Sequence, residues 1–146
     1  MRVSRKTEYA LRALVVMARK SRSYQIQELS EKENIPIKFL EQILLSLRHA
    51  GFLASKRGVG GGYTLKVPAG EIPLGAVVRA LDGPVAPLPC AATTGSDVPC
   101  SCPDPRTCPI RGFMTQLHGE MNALLDARSI EDLAKMDAGQ ALAFEI

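Results

Sequence analysis

The sequence predicts a mainly α-helical chain carrying one small β-hairpin and a long amphipathic helix toward its C-terminus. Three observations lead there. Apolar residues recur at helical spacing through most of the chain, a glycine-rich tip separates two short extended runs, and an aperiodic Pro-, Gly- and Cys-containing stretch precedes the last long helix. The chain has 146 residues, 46% of them apolar and 23% charged. That is enough for one compact domain with a core and an appended element, and it excludes disordered and fibrous classes.

The first helix starts at Ser4, a good N-cap, and carries Leu11, Leu14, Val15 and Ala18 at i, i+3, i+4 and i+7 before ending near Lys20. After the polar Ser21-Arg22-Ser23, a short second helix holds Ile26 and Leu29 and ends around Glu33-Asn34-Ile35. Pro36 suits the first position of a third helix, where its missing N–H costs nothing. In that helix Leu40, Ile43, Leu44 and Leu47 form the buried stripe, and Lys38, Glu41, Gln42 and Leu45 take the opposite face. Two short helices joined by a tight turn form a helix-turn-helix pattern. Gly51 ends the third helix, and the hairpin follows: Phe52 to Arg57, the tip Gly58-Val59-Gly60-Gly61-Gly62, then Tyr63 to Val67. The tip lacks the Gly-Lys-Ser/Thr ending and following helix of a phosphate-cradling loop. A basic hairpin in this place is a wing, with Lys56 and Arg57 positioned to enter a minor groove.

Charge divides the chain. Residues 1–70 hold 13 Lys and Arg against 5 Asp and Glu, a charge of +8, whereas residues 71–146 hold 5 against 10, a charge of −5. A basic first half is the footprint of a nucleic-acid-binding module beside a separate sensing or assembly half. The longest apolar stretch, Ala10 to Ala18, is broken by Arg12 and too short to span a bilayer. Met1 to Lys6 is basic but not followed by the apolar core of a secretion signal, so the expectation is a cytoplasmic protein without membrane association. No nucleophile with a paired base and no paired carboxylates argue for an enzyme.

Thr7-Glu8-Tyr9-Ala10-Leu11-Arg12-Ala13-Leu14, then Phe39-Leu40-Glu41-Gln42-Ile43-Leu44 with Leu47-Arg48, then Arg57-Gly58-Val59-Gly60-Gly61-Gly62-Tyr63, closely resemble the Rrf2 (Rrf-two) superfamily of winged-helix regulators, which contains IscR, NsrR and RirA. The resemblance covers nearly the whole chain. It implies a homodimeric transcription factor that binds a double-stranded DNA operator, often with an iron–sulfur cluster. The expected organisation is a winged helix-turn-helix over 1–83, a cysteine-containing loop over 84–108, and a dimerisation helix with tail over 109–146. DNA contacts are expected from Arg5, Lys6, Lys38, Glu41, Gln42, Leu45, Arg48, Lys56, Arg57 and Gly58.

Pro73 and Leu74 open a further helix with Leu74, Val77, Val78 and Leu81 on one face, stopped by Asp82-Gly83-Pro84. Val85 to Thr107 shows no periodicity, and a stretch of this length is functional or mobile. All four cysteines, Cys90, Cys100, Cys102 and Cys108, lie in it or at its end. Clustered thiols in a cytoplasmic protein point to metal binding or redox sensing. No Cys-x-x-Cys pair occurs, so a zinc ribbon fits poorly, whereas iron–sulfur clusters are held by thiolates in loops of this composition. In the cluster-binding relatives the last two loop cysteines are separated by five residues, a spacing that Cys102 and Cys108 share, and Cys90 resembles the first ligand. The histidine found in IscR-like proteins three residues after the last cysteine is replaced by Arg111. The fourth ligand is then Cys100, or Glu8 from the partner subunit, as the resemblance to NsrR-like sensors implies. The cluster that the resemblance implies would contain two or four irons. The alternative is a zinc-binding or metal-free thiol-switch regulator.

Ile110, Met114, Leu117, Met121 and Leu124 form an a/d seam on the helix that starts at Pro109, and such a seam needs a partner. His49 is expected near the DNA backbone and His118 at the surface or dimer interface. Ser129 and Asp132 have the spacing of a capping box for a last short helix, and Ala141 to Ile146 is expected to fray.

Overall fold

The computed structural model describes residues 2–92 and 100–136. The expected tail lies outside the described residues. The elements are α1 (Arg5–Arg19), α2 (Ile26–Glu33), α3 (Ile37–His49), β1 (Leu53–Lys56), β2 (Gly62–Leu65), α4 (Leu74–Asp82), α5 (Pro109–Ala127) and α6 (Ile130–Lys135). The chain is mainly α with a two-stranded antiparallel wing, as the periodicities predict.

Helix α1 is the strut of the core, packed against α2, α3, α4, α6 and β2. Its start is set by Ser4, whose hydroxyl accepts the Thr7 N–H at 3.1 Å. The face it buries is not the predicted one. Ala10, Ala13, Leu14, Val16 and Met17 are buried, whereas Leu11 and Ala18 pack at the edge of the core. The alanines explain the rotation, because removing side-chain bulk lets α1 approach several neighbours at once, and buried area then follows contact rather than residue size.

Helix α2 ends at Asn34, the one non-glycine with positive φ (52°) among the described residues. Asn tolerates this left-handed conformation better than most residues. Ser30 Oγ donates to the Ile35 carbonyl at 2.6 Å, and the Arg12 guanidinium holds both the Glu33 carboxylate (3.1 Å) and its carbonyl. The turn of the helix-turn-helix is therefore tied to α1. Pro36 sits one place earlier than expected, as the N-cap of α3. Leu40, Ile43, Leu44 and Leu47 are all fully buried, and this stripe fixes which face of α3 points outward.

In the wing, Leu53 pairs with Leu65 and Lys56 with Gly62. An isolated bridge between Tyr24 and Tyr63, with N···O distances of 2.9 and 2.8 Å, fastens β2 to the α1–α2 connection. The buried Tyr24 hydroxyl reaches the carbonyls of Val16 and Lys20.

Helix α6 returns to α1, placing Ile130 in the same core, and the Ser129–Asp132 capping box forms as expected. Helix α5 buries no residue fully. It is held to α4 through Arg79, which donates to Asn122 at 3.1 Å and Asp126 at 2.5 Å. Gly75 leaves room for the Asp126 carboxylate at this crossing. Met114 and Met121 turn partly inward, and the outward stripe is Ile110, Phe113, Leu117 and Leu124. Phe113, 62% exposed, was not part of the predicted seam. Among the described residues no helix is long and apolar enough to cross a membrane.

Candidate functional site

Burial of the α3 stripe leaves Lys38, Glu41, Gln42, Leu45 and Arg48 exposed together. Leu45 is 44% exposed, an apolar group among polar ones on a helix whose other face is closed. Arg48 also donates to Ser55 Oγ at 2.9 Å, linking the end of α3 to β1. Lys56, Arg57 and Gly58 are exposed on the wing. Arg5 stacks over Tyr9 at 5.8 Å, and Tyr9 meets Phe39 edge-on at 5.7 Å, so the start of α1 lies beside the first turn of α3. Lys6 is half-buried, and His49 is exposed at the end of α3.

The aperiodic segment is not wholly irregular: a 3-10 turn at Pro89–Ala91 carries Cys90 and packs on α5. Cys108 is the N-cap of α5. Its thiol lies 3.6 Å from that of Cys102, and the Cys100 sulfur accepts the Cys102 N–H at 3.5 Å. The backbone amide of Arg111, with the Cys102 thiol and the Ile110 amide, holds Cys108 below the ordinary thiol value, although no cap hydrogen bond of normal geometry closes there. The Cys102 amide and thiol, the Cys90 thiol and the charge of Arg111 likewise lower Cys100. Cys102, between Cys100 and Cys108, is pushed up to about 12 because its neighbours take the negative charge first.

Cys100, Cys102 and Cys108 thus follow one another to the start of α5, and Cys90 sits on the turn packed against that helix. Among the described residues, however, no three His, Cys, Asp or Glu side chains converge into a metal-holding group. The donor chemistry nonetheless fits a thiolate-bound cluster: soft ligands, partly exposed, at a helix N-terminus and beside a guanidinium. Arg111 donates to the Pro105 carbonyl at 3.2 Å, where it closes the end of the loop. Within a protomer Glu8 pairs with Arg5 at 3.1 Å and lies 3.7 Å from Arg12.

One connection had no signal in the sequence. Asp82, the last residue of α4 before the cysteine segment, accepts the Ser4 N–H at 2.9 Å and its hydroxyl at 2.5 Å. Residues 78 apart are joined, and the N-cap of α1 is clamped to the entry of the loop. Only a serine used as a cap, seventy-odd residues from a helix-ending aspartate, hinted at it, and that pattern is too common to be diagnostic.

An exposed polar face on the second helix of a helix-turn-helix, flanked by a basic wing, defines a DNA-binding winged-helix transcription regulator. The family model described as "Rrf2, iron-dependent transcriptional regulator" matches residues 3–136, and the chain belongs to that family. An rrf2-like HTH-type transcriptional regulator of Rhodobacter capsulatus is 36% identical over 137 residues, covering 90% of this chain and 91% of its own. The HTH-type transcriptional regulator IscR of Aliivibrio salmonicida is 30% identical over 135 residues, covering 91% and 77%. Among solved structures, CymR (YrzC), the global cysteine regulator of B. subtilis, superposes with a TM-score of 0.78 at 26% identity, covering 94% of this chain and 99% of CymR. The family is one of regulators, not enzymes.

Burial alone would raise Asp82, but the hydrogen bonds from the Ser4 hydroxyl, the Ser4 amide and Thr7, with the charge of Lys6, together hold it below 3.8. A lowered carboxylate stabilises the fold above its ordinary value, and the contribution is lost as pH falls through the folded value. Ser4→Ala is expected to cost about 1 kcal/mol at pH 7 in denaturant unfolding, since a cap is removed. The stability gap between wild type and Asp82→Asn should close as pH drops below 3.8; a gap independent of pH would place Asp82 outside the clamp.

Proposed function

We propose that the chain is a homodimeric regulator that reads a palindromic operator and senses redox state, nitric oxide or iron–sulfur supply through a cysteine-held iron–sulfur cluster. The observation that carries this is the placement of Cys100, Cys102 and Cys108 around the start of α5, with Cys102 and Cys108 3.6 Å apart and Cys90 on the 3-10 turn packed on that helix, whose outer face is the unburied apolar stripe. Residues 1–83 read DNA, 84–108 sense, and 109–146 pair the protomers.

Cys90, Cys102 and Cys108 would hold the cluster, with Cys100 or the partner subunit's Glu8 as the fourth ligand. Such a cluster would supply iron chemistry toward oxygen and nitric oxide. The chain's own residues do the rest. Cys108 joins the ligand set to the first turn of α5, while Asp82 and Ser4 join the loop entry to α1, which carries α3. Lys56, Arg57 and Gly58 place the wing on the backbone, with Arg5, Lys6 and Arg48 as further cationic contacts. On α3, Lys38 and Glu41 flank Gln42, which is suited to adenine, and Leu45 faces a thymine methyl.

A second reading rests on the 3.6 Å approach of Cys102 to Cys108: a metal-free thiol switch, or a zinc site using the same sulfurs. Iron and sulfide analysis with absorbance spectra of anaerobically purified protein separates the two. The cluster reading expects stoichiometric iron and sulfide that Cys102→Ser abolishes. Zinc, or neither element, would overturn it.

Two variants test the remaining parts. Gln42→Ala should weaken binding by about 1–3 kcal/mol at one base-pair position, measured at fixed salt on a panel of single-base operator variants; a uniform loss on all sequences would contradict base reading. Leu117→Asp should yield monomers in sedimentation, because a charge would be buried at the seam. It should also lose tight binding to half-sites spaced about 10–10.5 bp or a multiple apart.

A further inference from the structure

Val59 stands at the tip of the wing with a relative exposure of 108%, the most exposed large apolar side chain among the described residues. A β-branched residue is an unusual choice there, since turns favour Gly, Pro, Asn, Asp and Ser. The backbone that carries it is hydrogen-bonded at its base. Gly58 and Gly60, on either side, have φ of +95° and +74°. The Gly61 N–H donates to the Gly58 carbonyl at 2.9 Å, and Gln25 Nε2 donates to the Gly61 carbonyl at 2.6 Å. A Cβ on Gly62 would lie 2.5 Å from the Tyr24 carbonyl, so the base of the tip sits hard against the α1–α2 connection. The isopropyl group thus stands in solvent on a turn whose base is hydrogen-bonded to the protein.

The chemistry around Val59 selects that partner. Lys56 and Arg57 precede it and are exposed, so the tip is drawn to a polyanion, yet its point is apolar and makes no hydrogen bond to a base. The minor groove of DNA matches both properties. Its rims are phosphates, its walls are deoxyribose C–H faces, and its floor is free of protruding groups at A·T pairs but carries the guanine 2-amino group at G·C pairs. A protein surface or a bilayer would be met by a broader apolar patch, whereas here glycines surround a single side chain.

We infer that Val59 is a specificity-determining residue of the wing: its isopropyl group seats between the sugar walls and selects against the guanine 2-amino group. This rests on the wing being a DNA contact, and the experiment separates the two claims. Duplexes recovered by the full-length protein from a random pool serve as probes, with each base pair flanking the α3 half-site changed in turn to A·T, G·C or I·C. Inosine keeps the major-groove face of guanine and lacks its 2-amino group, so a major-groove reader treats I·C as G·C. At one flanking position the wild type should bind A·T and I·C alike and G·C roughly five-fold or more weakly, the scale of one mismatched pair. Val59→Ala and Val59→Ser should erase that preference and leave the salt slope unchanged, because no charge is lost. Arg57→Ala should weaken binding and lower the salt slope by about 1. Equal binding of G·C and I·C by the wild type at every flanking position, or an unaltered preference in Val59→Ala while Arg57→Ala still acts, would overturn the role of Val59 alone. An Arg57→Ala protein with unchanged affinity and slope, and no inosine effect, would remove the wing from the DNA and this inference with it.

Discussion

Close packing of α1 against its neighbours is the constraint from which the rest of the structure follows. Ala10 and Ala13 let α3, α4 and α6 approach one helix, and Leu14 and Met17 fill the space between them. Because α1 packs against α2, α3, α4 and β2, its position sets the tilt of α3 and, through Arg12 on Glu33, the turn before it. The same helix begins at Ser4, clamped by Asp82 at the mouth of the cysteine segment. The cysteine segment and α3 are far apart in sequence but share this strut. A core packed at interior density transmits small shifts instead of absorbing them, so what moves the start of α1 also moves α3.

The legibility of the fold tracked how one-sided each helix is. Helix α3 has one buried and one free face, and its leucine and isoleucine stripe was readable residue by residue. Helix α1 is surrounded on several sides, so the large side chains Leu11 and Val15 misled, and the two alanines that set the approach carried no hydrophobic signal. Helix α5 lies between these cases. Its seam residues Met114 and Met121 turn partly toward the protomer's own body, and Phe113 replaces them on the outer stripe. A heptad count cannot see that Arg79 pins one side of α5 to α4 and so rotates it. The return of α6 with Ile130 is a long-range packing event with no local signature beyond its capping box.

The site was legible as chemistry and less so as geometry. Four thiols in breaker-rich sequence pointed to a candidate soft-ligand site, and the shared five-residue gap singled out Cys102 and Cys108, whose sulfurs lie 3.6 Å apart. The identity of a fourth donor depends on distances across a subunit boundary, which spacing along one chain does not encode. Glu8 illustrates the point, since within one protomer its charge is balanced by Arg5 and Arg12. Leaving them for a partner's loop would free Arg12, whose other contacts reach the helix-turn-helix turn.

The central claim is that the state of the cysteine segment is felt at α3 through α1. Hydrogen exchange on anaerobically reconstituted and metal-free protein tests it most directly, since each amide reports its own opening free energy. Protection should change in the first turn of α1, around Thr7 and Glu8, and in the turn at Asn34 to Pro36, alongside the change in the loop itself. Altered exchange confined to residues 84–108, with α1 and the helix-turn-helix identical in both states, would contradict it.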